Sequence, residues 1–249
     1  MKKTAIYFIL FIQFFLSTNI FAEEKITDVL QKITNRMKQS NSISYNIDYS
    51  CKMLYSQSTE KISGKVEMIR DENEKNFGCV FWYKATDSLE KYFDGKTIYA
   101  INHKRHIITT QEAAGSNLEL ITQDLDGDLI RIPFVAPESI NGLNSKDIKL
   151  KYKKYKKIKN SKMINVKYPD EERISDAEMD LVYDVKNFNI LRIFSKMVFH
   201  SQTQSNEWVF RKIVYGKVSR DELHKRFLKY FNKYKLEKYQ LLQHQLQNK

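Results

Sequence analysis

The stretch Ser42-Ile43-Ser44-Tyr45-Asn46-Ile47-Asp48-Tyr49-Ser50-Cys51-Lys52-Met53 decides the fold class. Ile43, Tyr45, Ile47, Tyr49, Cys51 and Met53 alternate with small or polar residues. A period of two sustained over this length is a strand with one buried and one wet face. Such alternation marks an antiparallel sheet, because parallel strands are buried on both faces and read as continuous apolar runs. The pattern recurs downstream. Residues 60–70 place Ile62, Val66 and Met68 on one side, 71–76 form a polar turn, and Phe77, Cys79, Phe81 and Tyr83 are the next inward set. Residues 89–93, Asp94-Gly95 and 96–101 read as a hairpin, since Asp-Gly suits the positive φ of a tight turn. Residues 105–110 form another strand, and the turn spacing of ~8–12 residues is that of a meander.

Working outward, residues 26–39 carry Ile26, Val29, Leu30, Ile33 and Met37 at helical spacing, and Ser40-Asn41-Ser42 ends that helix. Residues 111–145 break the strand rhythm. A short helix over 115–125 would use Leu118, Ile121 and Leu125, and Pro133 and Pro137 are two of only 3 prolines. This insert is placed to cover the mouth of a sheet. Strands resume over 147–158, which is very basic, and over 162–168. An acidic loop over 169–178 leads to a second hairpin: 179–185, a turn at 186–189, and 190–200. The last strand spans 208–214. Ser219 caps a final helix with Asp221 and Glu222 in its first turn, and Leu223, Phe227, Phe231 and Tyr234 follow one face. That pattern continues weakly to Leu246 before a Gln-rich end. The expected fold is α+β: one strongly curved antiparallel sheet of about ten or eleven strands closed by helices.

The chain has 249 residues and a formal net charge of +12. Its apolar content supports a real core and excludes collagen-like, low-complexity and wholly disordered classes. Residues 1–22 have the layout of a signal peptide: Lys2-Lys3, an apolar run over 6–16, then Phe21-Ala22 before Glu23. The apolar run is short for a membrane span. Cleavage after Ala22 would send the chain to a bacterial periplasm or the exterior, which lowers nucleic acid among the partners that positive charge suggests. Residues 146–167 hold ten Lys and one Asp, and residues 217–249 hold nine basic and three acidic residues. The remainder of the mature chain is slightly acidic, so the charge marks two elements rather than the whole surface. Lys151, Lys153, Lys154, Lys156 and Lys157 are the candidate residues for docking on an anionic membrane surface.

Chemical motifs are sparse. No phosphate-loop, dinucleotide, zinc-protease or nucleophile-elbow pattern occurs. His103 and His106 are three apart, which on a strand points them to opposite faces as surface histidines, without the ligand set of a metal site. Asp124, Asp126 and Asp128 have the outline of a calcium loop but lack its closing glutamate. Asp170, Glu171 and Glu172 lie in a polar loop with nothing apolar to raise a pKa. The two cysteines, Cys51 and Cys79, flank an intervening strand, farther apart than a disulfide allows, and are expected to be buried thiols. No catalytic residue, metal or cofactor is assigned.

Aromatic side chains are the positive signal. They populate the strands, and a curved sheet with few covering helices is hard to fill with side chains alone. The order of elements resembles the periplasmic lipoprotein-carrier superfamily, the LolA/LolB-like outer-membrane lipoprotein-sorting proteins. Glu90-Lys91-Tyr92-Phe93-Asp94-Gly95-Lys96-Thr97-Ile98-Tyr99 is similar to that family's strand–Asp-Gly–strand hairpin. Met179-Asp180-Leu181-Val182-Tyr183-Asp184 leading to Ile190-Leu191-Arg192-Ile193 is similar to its later hairpin. The resemblance covers residues 24–217. It implies an incomplete barrel whose hollow binds acyl chains or another apolar ligand, without catalysis. On this reading the chain divides into a signal peptide (1–22), a LolA-like half-barrel (23–217) and a basic C-terminal helix and tail (218–249). Ile47, Tyr49, Val66, Met68, Phe81, Tyr83 and Tyr99 are the candidate lining residues, and the partners are a lipid or acylated protein and an anionic membrane surface. A solidly packed interaction protein docking through its basic surface is the alternative.

Overall fold

The computed structural model describes residues 24–86, 89–114, 120 and 133–239. The proposed signal peptide, most of the 115–125 helix, the aspartates at 124–128 and the Gln-rich end lie outside these residues.

Helix α1 (Ile26–Lys38) precedes six strands: β1 (Ser42–Lys52), β2 (Thr59–Arg70), β3 (Cys79–Thr86), β4 (Leu89–Phe93), β5 (Thr97–Asn102) and β6 (Ile107–Glu112). A short helix α2 (Glu138–Gly142) leads to β7 (Lys149–Lys153), β8 (Ser161–Lys167), β9 (Ile174–Asp184), β10 (Ile190–Phe199) and β11 (Gln202–Tyr215). Helix α3 (Arg220–Phe231) and strand β12 (Lys235–Lys238) follow. All twelve strands form one sheet in the order β12-β6-β5-β4-β3-β2-β1-β11-β10-β9-β8-β7. The sheet does not close into a barrel: β12 and β7 are its edges. Two meanders are thus joined at β1, which pairs antiparallel with β2 on one side and β11 on the other.

The structure departs from the sequence reading in several places, and the strand expected over 147–158 shortens to β7 at Lys149–Lys153. The acidic loop expected at 169–178 is shorter, because β9 already begins at Ile174. Strand β11 begins at Gln202 rather than 208, since its polar first half is held by backbone pairing to β10, and from Ser205 also to β1, and has no apolar alternation to reveal it. The terminal helix stops at Phe231, and the continuation becomes β12, a parallel strand on β6 that makes the sheet mixed. The Ser219 cap forms as expected: its hydroxyl accepts from the Glu222 N–H and the Glu222 carboxylate accepts from the Ser219 N–H.

Bulges curl the sheet. The β1–β11 register shifts between Ser44 and Asn46, opposite Lys212, whose φ of 53° lies in the left-handed region. This extra residue reverses the side-chain parity of β11. Trp208 and Phe210 face the inner core before it, and Ile213 and Tyr215 face the same core after it.

The inner face holds the main core. Val29, Leu30, Ile33 and Met37 of α1 pack on Tyr45, Ile47, Tyr49, Val66, Met68, Phe81, Phe93, Ile164, Val166, Leu181 and Phe210. Gly64 sits opposite Ile47. The Tyr83 ring and the Lys84 carbonyl would lie 2.6 Å from any Cβ there, so only glycine lets β3 and its tyrosine approach this closely. Part of the outer face is covered by α3, where Leu223 and Phe227 bury Val80, Trp82, Tyr92, Ile101 and Ile108.

The cysteines are free and buried. Cys51 opposes Glu60 and Cys79 opposes Arg70. Those partners are ten residues apart on β2, roughly 33 Å at ~3.3 Å per residue, so separation along the strand precludes a bridge. Burial, with Glu74 and Asp71 nearby, pushes the Cys79 thiol up to about 12.

An ion pair ties α3 down. Glu67 on β2 accepts from Lys65 at 2.8 Å and from Arg226 of α3, whose guanidinium lies 5.0 Å over the Trp82 ring. Burial opposes ionisation of Glu67, but the Arg226 and Lys65 hydrogen bonds outweigh it and hold its pKa below the ordinary value. A carboxylate depressed in the folded state stabilises above its unfolded pKa, and that contribution is lost as pH falls through the folded value. Thermal unfolding between pH 7 and pH 3 should therefore show a shallower acid-side loss in Glu67→Gln than in the parent; equal slopes would show that the pair contributes nothing.

Candidate functional site

Six of the seven candidate lining residues come together. Ile47, Tyr49, Val66, Met68, Phe81 and Tyr83 all lie on the inner face, each at most 2% exposed. Their common direction follows from strand parity and register: Ile47 opposes Gly64, Val66 opposes Tyr83, and Met68 opposes Phe81. Tyr99 does not join them. It lies on the outer face with its ring 4.4 Å from Phe227 of α3, and its hydroxyl donates to Asp94 at 3.1 Å. Its neighbour Ile98 is the residue of β5 that faces inward. The Asp-Gly turn sets the parity of β5, and Asp94 Oδ1 fixes that turn by accepting from the N–H groups of Lys96 and Thr97.

The inner face is packed where it is described. An apolar pocket sits where α1, β1, β11 and the 133–135 segment meet. Met37, Ile43, Tyr45, Phe134, Phe210 and Tyr215 are among its walls, and its open volume is about 20 Å³. That is room for about one water, against the ~300 Å³ or more of a typical ligand cavity.

The cover of this pocket is thin and is held by polar contacts. Phe134 is buried over it, 6.0 Å from the Tyr215 ring. Arg70, at the end of β2, has its guanidinium 4.6 Å over the Phe134 ring. It donates to the Phe134 carbonyl at 2.9 and 3.2 Å and to the Met37 carbonyl at 3.1 Å. One side chain thereby fastens the end of α1, the cover segment and the sheet. Burial pulls the Arg70 pKa down, only partly offset by Glu72 and Tyr215, yet an arginine stays charged across the working pH range. Thr34 of α1 adds bonds to the Pro137 carbonyl at 3.3 Å and to Asn141 at 3.1 Å, and Lys38 pairs with Glu138. Sequence reading passed over Arg70. The signal was present: it shares parity with buried Val66 and Met68, and a charge on the inward set asks for a partner.

Arg36 also stacks on Tyr215, with its guanidinium 4.4 Å over that ring. Next to it the β9–β10 turn places Phe188 at a φ of 58°. The turn is built by Asp184, whose Oδ1 accepts from the N–H groups of Lys186 and Asn187. A non-glycine residue there costs of order 1–3 kcal/mol, which stacking on Tyr183 and the nearby Lys32 ammonium help offset.

The remaining candidates separate. Lys153 faces Glu178 at 3.5 Å and Asp180 at 3.6 Å, so it is neutralised. Lys151, Lys154, Lys156 and Lys157 are exposed. Asp170, Glu171 and Glu172 are exposed in their loop. His103 and His106 lie between strands, in the turn from β5 to β6, and both flank the Tyr234 ring. His103 is half-buried, with Nδ1 3.0 Å from the Tyr234 hydroxyl and Nε2 3.2 Å from Glu90.

No family model matches the chain, and no curated protein matches it. Solved structures do. The LolA superfamily protein of Nitrosomonas europaea is 9% identical, with 80% of this chain and 97% of that chain covered at a TM-score of 0.34. The lipoprotein LppX of Mycobacterium tuberculosis is 12% identical, covering 80% and 100% at 0.39. LprF of Mycobacterium bovis is 10% identical, covering 78% and 94% at 0.41. These likenesses concern the course of the backbone alone.

If Arg70 fastens the cover, Arg70→Lys should loosen it, because an ammonium cannot span two carbonyls as a planar guanidinium does. Hydrogen exchange should quicken at least several-fold in residues 133–143 and stay unchanged in β1 and β2. Uniform quickening would assign Arg70 to global stability instead.

Proposed function

We propose that this protein is a non-enzymatic envelope carrier that holds a lipid or acyl chain between the inner face of its sheet and the cover formed by α1, α2 and the 133–135 segment. On this reading residues 1–22 direct export, and the mature chain works in the periplasm or outside the cell. The observation that carries the reading is the fastening of an apolar face by few, polar and separable contacts. Arg70 binds backbone carbonyls, which a moving cover can exchange for water, while the wall behind it is aromatic and aliphatic. The pocket of about 20 Å³ is the closed state, and a chain would enter as Phe134 swings out. Ile47, Tyr49, Val66, Met68, Phe81 and Tyr83 do not line this pocket as it stands, and would join the cavity wall once α1 also moves off the inner face, with Tyr99 left out because it lies under α3.

Uptake of a fluorescent fatty acid tests this. Met68→Ala with Phe81→Ala should change the affinity several-fold in a variant that remains folded by circular dichroism, and Arg70→Lys should speed uptake. Absence of uptake by the parent, with no lipid mass in native mass spectra of protein from its own envelope, would reject the carrier reading.

A second reading has its own observation. Lys151, Lys154, Lys156 and Lys157 have no acidic partner among the described residues, at the open edge of β7 and the turn after it. Lysines there blunt an unpaired edge, and they also suit an anionic membrane. Lys156→Glu with Lys157→Glu should cut cosedimentation with phosphatidylglycerol vesicles at 0.1 M salt several-fold; binding by the parent that ignores salt would exclude an electrostatic contact.

A further inference from the structure

Next to the apolar pocket lies an open groove of about 500 Å³ between the solvent side of α1 and the β9–β10 turn. Three cationic side chains, Lys32, Arg36 and Lys186, line it with three amides and Phe188, and no carboxylate is among its lining residues. Donors remain for a ligand. Arg36 uses Nε on Asn189 at 3.1 Å and one terminal nitrogen on Gln39 at 2.6 Å, which leaves its other terminal nitrogen without a partner among the described residues. Lys186 is exposed and has no acidic partner among them. Asn35 accepts from Gln31 through its oxygen, so its amide N–H groups are available. Lys32 alone is engaged with a carboxylate, that of Glu24.

Two facts make this more than a basic surface. First, the groove and the apolar pocket share a wall: Arg36 lines the groove and lies 4.4 Å over the ring of Tyr215, which lines the pocket. Ile190, also in the pocket wall, is adjacent in sequence to Asn189, the residue that orients Arg36. Second, the turn carrying Lys186 holds Phe188 in a left-handed conformation that glycine would adopt freely, and strain of this kind is kept where the surroundings demand a particular side chain. An anion held by Arg36 and Lys186 would therefore sit at the rim of a site for apolar chains.

We propose that the groove binds the anionic head, phosphate or carboxylate, of an amphiphile whose chain enters the pocket behind Tyr215. This rests on the carrier reading and narrows its ligand class. A planar guanidinium and a flanking ammonium suit a tetrahedral phosphate or a carboxylate, and the free amide of Asn35 adds a neutral donor. A neutral lipid head would leave these donors to water. A cationic head would meet like charge.

Calorimetric titration of the purified protein with dodecyl phosphate, dodecanol and inorganic phosphate, each below any micelle concentration, separates the cases. Dodecyl phosphate should bind about tenfold tighter than dodecanol, a ratio in keeping with one or two charge-assisted hydrogen bonds. Lys186→Gln, an exposed change that leaves the core untouched, should cut that ratio about threefold. Arg36→Gln with Lys186→Gln should bring the ratio to about one. Equal affinity of the parent for dodecanol and dodecyl phosphate would overturn the head-group site, and so would a ratio insensitive to Lys186→Gln. Inorganic phosphate binding as tightly as dodecyl phosphate would overturn it in favour of a free-anion site. Failure of both alkyl ligands to bind would reject the carrier reading, whereas chain binding without head preference rejects the head-group site alone.

Discussion

Strand β1 hydrogen-bonds on both sides, and the rest of the structure depends on that double pairing. Each meander, β1–β6 and β7–β11, is a run of local hairpins that would leave its first or last strand unpaired. Pairing β1 with β11 joins strands more than 150 residues apart in sequence and makes one inner face from two half-faces. The Ile47–Phe210 and Tyr49–Trp208 pairs are the apolar seam of that junction, with the Tyr49 and Trp208 rings 5.2 Å apart. The Tyr49 hydroxyl donates to Asn206 at 2.8 Å, so its polar end is satisfied while the ring stays buried.

The two faces of this sheet are covered differently. Helix α3 seals part of the outer face by stacking aromatic rings and by charge: Phe227 on Tyr92 and Tyr99, and Arg226 on Glu67. The inner face is covered by α1, which buries Val29, Leu30, Ile33 and Met37 on it, and by a short segment around Phe134 that Arg70 fastens through backbone carbonyls. A ring buried against rings has no substitute for its neighbours in water. A guanidinium–carbonyl bond has one, because water replaces both partners at small net cost. Arg36 lies over Tyr215 and Arg70 over Phe134, two rings of the pocket wall.

Much of the fold was legible. The alternation of 43–53 set the inner parity of β1, the turns set the neighbouring strands, and six of seven candidate residues share the inner face because local register carried that parity forward. Tyr99 departed because an Asp-Gly hairpin pairs Tyr99 with Tyr92, an outward residue, and both ends of such a pair share a face. Strand β12 and the first half of β11 were not legible, since both are held by backbone pairing with neighbouring strands rather than marked by apolar alternation. The groove at Lys32, Arg36 and Lys186 was also hidden. Its parts are separated by 150 residues, and each alone reads as a solvated charge.

By itself the sequence determined the number and phase of most strands, the helix at each end, and the absence of a cysteine bridge, because these follow from side-chain period and turn chemistry within a few residues. Tertiary structure alone decided that β1 meets β11, that the bulge at Lys212 turns Ile213 and Tyr215 inward, and that Arg36 and Arg70 each stack on a ring of one apolar pocket. Those outcomes depend on contacts between distant segments. The free energy of such contacts is shared among partners that no local window of residues contains.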